Sequence, residues 1–184
     1  MKIWSLEEDV NFYEHITLID GSDEEWDNFS SLFNGMPVSK GYKPLRVCVI
    51  ENGGKLKRGD MPYLSPGKPV FTKKALDALK TLLSPKVELL PIFCEGQELV
   101  ILNVINQLDA IDLQKSDIKF MPDGKRIMRV KKFVFRPEVV SNQHIFKIRN
   151  QLYGTVFVSD EFRNRVLESG LEGIKFVKVW DSNE

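Results

Sequence analysis

The chain has 184 residues, 42% hydrophobic and 28% charged, with 26 basic and 26 acidic side chains. That length suits one domain burying about 70% of the surface its unfolded chain exposes, so neither a disulfide framework nor a structural metal is needed for a core. The balanced charge excludes a strongly basic nucleic-acid binder, the lack of a long polar tract argues against extended disorder, and no apolar run approaches the roughly 18 residues of a membrane-spanning helix.

Residues 2–6 read as a first strand. Residues 23–33 read as a short helix with Asp23 at the N-cap. Glu24, Glu25 and Asp27 suit the positive end of its dipole, and Trp26, Phe29 and Phe33 recur at helical spacing. Gly35 and Pro37 end it. Residues 45–50 are rich in β-branched side chains and read as a strand.

Residues 51–69 form the longest loop, with Asn52-Gly53-Gly54, then Lys55, Lys57 and Arg58, then Pro62, Pro66 and Pro69. A loop of this length inside a compact domain is usually functional or mobile. Thr72 caps a helix over 73–83, whose apolar face is Leu76, Leu79, Leu82 and Leu83.

Residues 87–94 and 98–105 flank Glu95-Gly96-Gln97 in a hairpin pattern. The second arm is apolar on both faces and reads as a central strand. Pro91 predicts a bulge or an edge position for the first arm. Residues 118–121 and 127–135 flank Pro122-Asp123-Gly124-Lys125, a second hairpin. Residues 144–148 read as a strand.

The last thirty residues are the clearest unit: a strand over 155–158, a helix over 159–169, a turn over 170–173 and a return strand over 174–180. Ser159 suits its N-cap and Gly170 its stop. Phe162, Val166 and Leu167 are its expected packing face, with Phe176 and Trp180 as expected core. Together these elements predict an α+β class: a single domain over 1–184, with a mostly antiparallel sheet region of about seven strands and about three helices, ending in a strand–helix–strand unit. A division into two lobes, 1–86 and 87–184, is the alternative.

The chemistry-bearing residues form no recognisable motif. His15, His144, Cys48 and Cys94 lack metal-ligand spacing, so no metal or other cofactor is expected. Two distant cysteines in apolar stretches fit a reducing compartment. Cys94 with His144 and Asn142 supplies the residue types of a thiol nucleophile site, but Cys94 ends a strand with no helix N-terminus behind it. Asp109, Asp112 and Asp117 follow an apolar strand, where short acids more often form turns than act in catalysis. Gly53-Gly54-Lys55 lacks the spacing of a phosphate loop. No catalytic residue is predicted, and the expectation is a protein that is not an enzyme.

Charge is unevenly distributed. Residues 1–36 hold nine acids and one base, whereas residues 115–136 hold eight bases and two acids. A polarised surface suits a charged partner, unless the two regions lie together and neutralise one another. The basic hairpin also carries Phe120, Phe133 and Phe135, so a nucleic-acid-binding module using residues 119–136 is the alternative reading. The first nine residues contain no apolar stretch of signal-peptide length, so a cytoplasmic location is expected.

Several stretches resemble immunity family eleven of bacterial polymorphic toxin systems. They are Met1-Lys2-Ile3-Trp4-Ser5-Leu6, Pro69-Val70-Phe71-Thr72-Lys73-Lys74-Ala75-Leu76, the asparagine-rich strand Asn103-Val104-Ile105-Asn106-Gln107-Leu108 with Asp109, Asp112 and Ser116 behind it, and His144-Ile145-Phe146-Lys147-Ile148. The terminal stretch from Val158-Ser159-Asp160-Glu161-Phe162 to Gly170-Leu171-Glu172-Gly173-Ile174-Lys175-Phe176 is the most specific. The resemblance spans nearly the whole chain. It implies an immunity protein that binds and neutralises a cognate toxin, protecting the producing cell without catalysis of its own. The resemblance supplies no site residues. Charge and loop length point instead to Asp23, Glu24, Glu25 and Asp27, and to Lys57, Arg58, Asp60 and Tyr63 in the long loop, as the toxin interface.

Overall fold

A computed structural model describes residues 1–19, 21–50, 53–83, 85–151 and 154–184. Asp20 of the N-terminal acids and Asn52 of the long loop lie outside the described residues. Strands β1 (Lys2–Glu8) and β2 (Ile16–Leu18) precede helix α1 (Asp23–Leu32). Strands β3 (Leu45–Val49) and β4 (Val70–Thr72) precede helix α2 (Lys73–Leu83). The hairpin of β5 (Val87–Cys94) and β6 (Gln97–Val104) follows, then the short β7 (Gln107–Leu108). A second hairpin, β8 (Asp117–Phe120) and β9 (Ile127–Lys132), leads to the single turn α3 (Pro137–Val140). The chain closes with β10 (Ile145–Ile148), β11 (Val156–Ser159), α4 (Asp160–Glu168) and β12 (Ile174–Asp181).

The fold is α+β and ends in the expected strand–helix–strand unit. The described residues form twelve strands and four helices, against about seven and three expected, because the shortest elements carry no periodicity of their own.

Two five-stranded sheets organise the protein. The first has the order β12-β1-β11-β10-β7 and the second β2-β3-β5-β6-β4, while β8 and β9 pair only with each other. Both large sheets draw strands from before and after residue 86. The pairings are antiparallel except β7 with β10 and β3 with β5.

The sequence of β11 shows why the first sheet is central. Val156 and Val158 point into one core, with Leu6, Ile145 and helices α2 and α4. Phe157 points into another, with Ile3, Phe146 and Phe135. A strand covered on both faces has no polar alternation to show. The inner face of the second sheet packs on α1 through Phe29, Phe33, Val47, Leu90 and Ile92.

Local expectations hold with instructive exceptions. Ser159 caps α4 by accepting a bond from the Phe162 N–H (3.2 Å), Gly170 takes the left-handed backbone that ends it (φ +58°), and Gly173 takes the same conformation just before β12 (φ +80°). Phe162 and Val166 are buried, but Leu167 is 56% exposed, because it lies on the side of this nine-residue helix away from α2 and β1. Phe176 and Trp180 are half-buried against the core rather than within it.

The N-cap of α1 is Ser22, not Asp23. Ser22 Oγ accepts from the Glu25 N–H, and the Ser22 N–H donates to Glu25 Oε2 at 2.9 Å, a complete capping box. Pro91 produces no bulge: β5 and β6 pair in continuous register from Val87–Val104 to Cys94–Gln97. Pairing of β5 with β3 begins at Ile92, so Pro91 sits where the strand has a neighbour on only one side.

Candidate functional site

Asp23, Glu24, Glu25 and Asp27 are all exposed at the start of α1, and the last turn of that helix has no base. The carboxylates of Asp23, Glu24 and Asp27 make no ion pair among the described residues. Trp26 and Phe29 meet edge to face (5.6 Å between centroids), and Phe29 and Phe33 likewise (5.1 Å), fixing the rotation of the helix. The acids are therefore held outward by the aromatic stripe behind them.

The long loop is zipped to the segment before β2. The Lys57 N–H donates to Phe12 O (2.8 Å), Glu14 N–H to Lys57 O (2.9 Å) and Ile16 N–H to Tyr63 O (2.8 Å). Gly59 is required by this closeness, since a Cβ there would stand 2.7 Å from the Tyr13 ring. Lys57 and Arg58 are exposed, with Arg58 Nε 3.7 Å from Glu14 Oε2. Tyr63 is half-buried with its ring edge-on to His15.

Asp60 has a different environment. It is 8% exposed, and its carboxylate accepts from Thr72 Oγ1, Lys74 Nζ and the Glu172 N–H. Its polar capacity is used within the fold, so it presents no charge outward.

Between α1 and the start of β3 lies a groove of about 470 Å³. Leu18, Ile19, Phe29, Leu32 and Leu45 form its apolar floor, Glu25 and Asn28 stand on the helix side, and Lys43 and Arg46 on the strand side. Sequence reasoning missed it. The available signal was Leu32, an apolar residue on α1 outside the Trp26, Phe29 and Phe33 stripe, and 37% exposed.

The basic hairpin is locally compensated in part. Lys115 meets Asp112 (3.4 Å), Arg126 meets Asp123 and Arg136 meets Asp109 (2.9 Å). Lys119, Lys125, Arg129, Lys131 and Lys132 are exposed and make no ion pair among the described residues. No described ion pair joins the acids of residues 1–36 to the bases of 115–136, so the two regions do not neutralise each other by direct contact. The expected stacking aromatics are largely withdrawn. Phe135 is 1% exposed in the core and Phe133 is stacked on it, leaving Phe120 the exposed one of the three.

The candidate catalytic groups are dispersed. Cys94 is buried in the core of the second sheet, and burial pushes its thiol pKa up, away from the reactive thiolate. His144 instead faces Ser159 Oγ (3.2 Å) and Glu161 Oε2 (3.7 Å) beside a hollow of about 220 Å³. Both contacts use the same ring nitrogen, Nδ1. A nucleophilic relay uses the two nitrogens separately, and Ser159 Oγ already caps α4. Asp112 Oδ1 accepts from the Gln114 and Lys115 N–H groups, as a turn former does. Asp117 lies opposite Lys132 across the hairpin. No group of three or more His, Cys, Asp or Glu side chains among the described residues is arranged to hold a metal ion. No helix among them is long and apolar enough to cross a membrane.

No curated protein matches the chain significantly. The opening strand and the 69–76 stretch lie outside the family match that the later part of the chain makes. Residues 93–181, from the end of β5 to the end of β12 and just under half of the chain, match the sequence model of an immunity protein family, Imm11.

Proposed function

We propose that this chain is an immunity protein that binds a cognate toxin protein and neutralises it by occupancy, protecting the cell that makes both. The observation that carries this reading is the Imm11 match over residues 93–181. The dispersal of the nucleophiles, bases and acids supports a binding role over a catalytic one. The setting is a bacterial polymorphic toxin system, with capture of the toxin in the cytoplasm.

The toxin-binding surface is centred on the first turn of α1, with Asp23, Glu24, Glu25 and Asp27, and extends to Lys57, Arg58 and Tyr63 of the loop. Unpaired carboxylates on a rigid helix attract a cationic partner at long range and speed its capture. Asp60 supports that loop from below.

Co-expression with the toxin encoded beside it tests the reading. The expected result is restored growth and a complex that co-purifies. Free toxin activity in the presence of excess folded chain would refute it. A second reading, nucleic-acid binding by the β8–β9 hairpin, rests on its exposed cations, unpaired among the described residues. Binding to generic RNA or DNA that weakens steeply with salt would favour it.

A further inference from the structure

The groove beside α1 has a composition that neither core packing nor the acidic turn explains. Its floor leaves Ile19 and Leu32 each 37% exposed, although both are large apolar side chains. Its two walls carry opposite charge: Glu25 on the helix side, Lys43 and Arg46 on the strand side. Helical spacing places Glu24 one turn before Asn28, on the outer lip of the same wall. Neither Lys43 nor Arg46 pairs with these acids or forms any other ion pair among the described residues.

We infer that this groove seats the toxin's anchor: a segment presenting one or two large apolar side chains, with basic residues along the flank facing α1 and acidic residues along the flank facing β3. The inference rests on the proposed toxin-binding function and specifies its site. A groove of about 470 Å³ accepts side chains of that size, and anchors in desolvated pockets dominate protein interfaces. Opposite charge on the two walls fixes which way round the segment lies. A purely basic segment would meet Lys43 and Arg46 unfavourably, and a purely acidic one would meet Glu24 and Glu25.

The test uses the whole chain and the toxin identified by the protection assay, with affinity measured by calorimetry. Asn28→Trp fills the groove from an exposed position, and is expected to weaken binding by about tenfold or more through faster dissociation. Glu24→Lys and Arg46→Glu each reverse one wall, and each is expected to weaken binding severalfold, more at low salt than at high. Lys175→Glu, exposed on the edge strand β12 of the other sheet, is the control and leaves affinity unchanged. Circular dichroism checks each fold; should Asn28→Trp fail to fold, the two exposed charge reversals decide the matter. A wild-type complex that survives all three groove variants with unchanged affinity overturns the groove while leaving the immunity reading intact. Absence of any wild-type complex overturns both.

Discussion

Asp60 and Glu172, 112 positions apart, are joined twice: the Asp60 N–H donates to Glu172 O (2.8 Å), and Asp60 Oδ2 accepts from the Glu172 N–H (2.9 Å). The same carboxylate takes Lys74 Nζ at 3.0 Å, and the Asp60 carbonyl accepts from the Thr72 N–H. One buried side chain thus ties the long loop, the start of α2 and the turn after α4 together.

Replacing Asp60 with Ala should destabilise the protein by about 2 kcal/mol, because a partly buried N–H and a partly buried hydroxyl lose their acceptor. The Lys74 contribution is smaller, since that side chain is 58% exposed and water screens it. Asp60→Asn, which keeps one acceptor oxygen, should cost less than Asp60→Ala. Urea midpoints for the two variants check the order.

Ser22→Ala should lower stability by about 1 kcal/mol, as loss of a capping box does. Asp23→Ala should cost less, because Asp23 contributes only its charge to the helix dipole. A larger effect at Asp23 would return the N-cap to that residue. Thermal unfolding of both variants at low salt provides the comparison.

Lys147 is 5% exposed on β10, with its ammonium donating to Gly67 O at 2.7 Å. Burial, helped by the nearby Lys68 ammonium, lowers its pKa to about 8 from an ordinary 10.5. Between those two values the unfolded chain holds a proton that the folded one has released. Stability from this group therefore rises as pH climbs from about 8 to 10.5, and is lowest below 8. Lys147→Met should remove that rise, so the wild-type urea midpoint should gain on the variant's across this window. A constant gap would contradict the assignment.

The two thiols should behave differently. Cys48 is exposed and Cys94 is 8% exposed with its pKa raised by burial. A thiol reagent at pH 8 should modify Cys48 promptly and Cys94 only after denaturant is added. Prompt modification of both would mean that β5 opens readily at its hairpin end.

Much of the fold was legible because its signals are local. Helix stripes, the hairpin turns at Gly96 and Gly124, and the Ser159 cap depend on neighbours within a few residues. Misreadings occurred where two adjacent residues offered the same chemistry, as with Ser22 and Asp23, or where exposure depended on distant packing, as with Leu167. The candidate interface was half legible: the acids of α1 are visible as a charge run, but the groove needs β3 laid beside α1.

By itself the sequence determined the α+β class and the terminal strand–helix–strand unit, because these follow from spacing and turn chemistry. Only the tertiary structure decided that β1 sits between β12 and β11, that Asp60 is spent inside the fold while Asp23, Glu24 and Asp27 stay exposed, and that among the described residues the acids of α1 and the bases of β8 and β9 form no ion pairs with one another. Strand order, burial and ion pairing are set by contacts between residues far apart in the chain, and the sum of those contacts is not written in any local pattern.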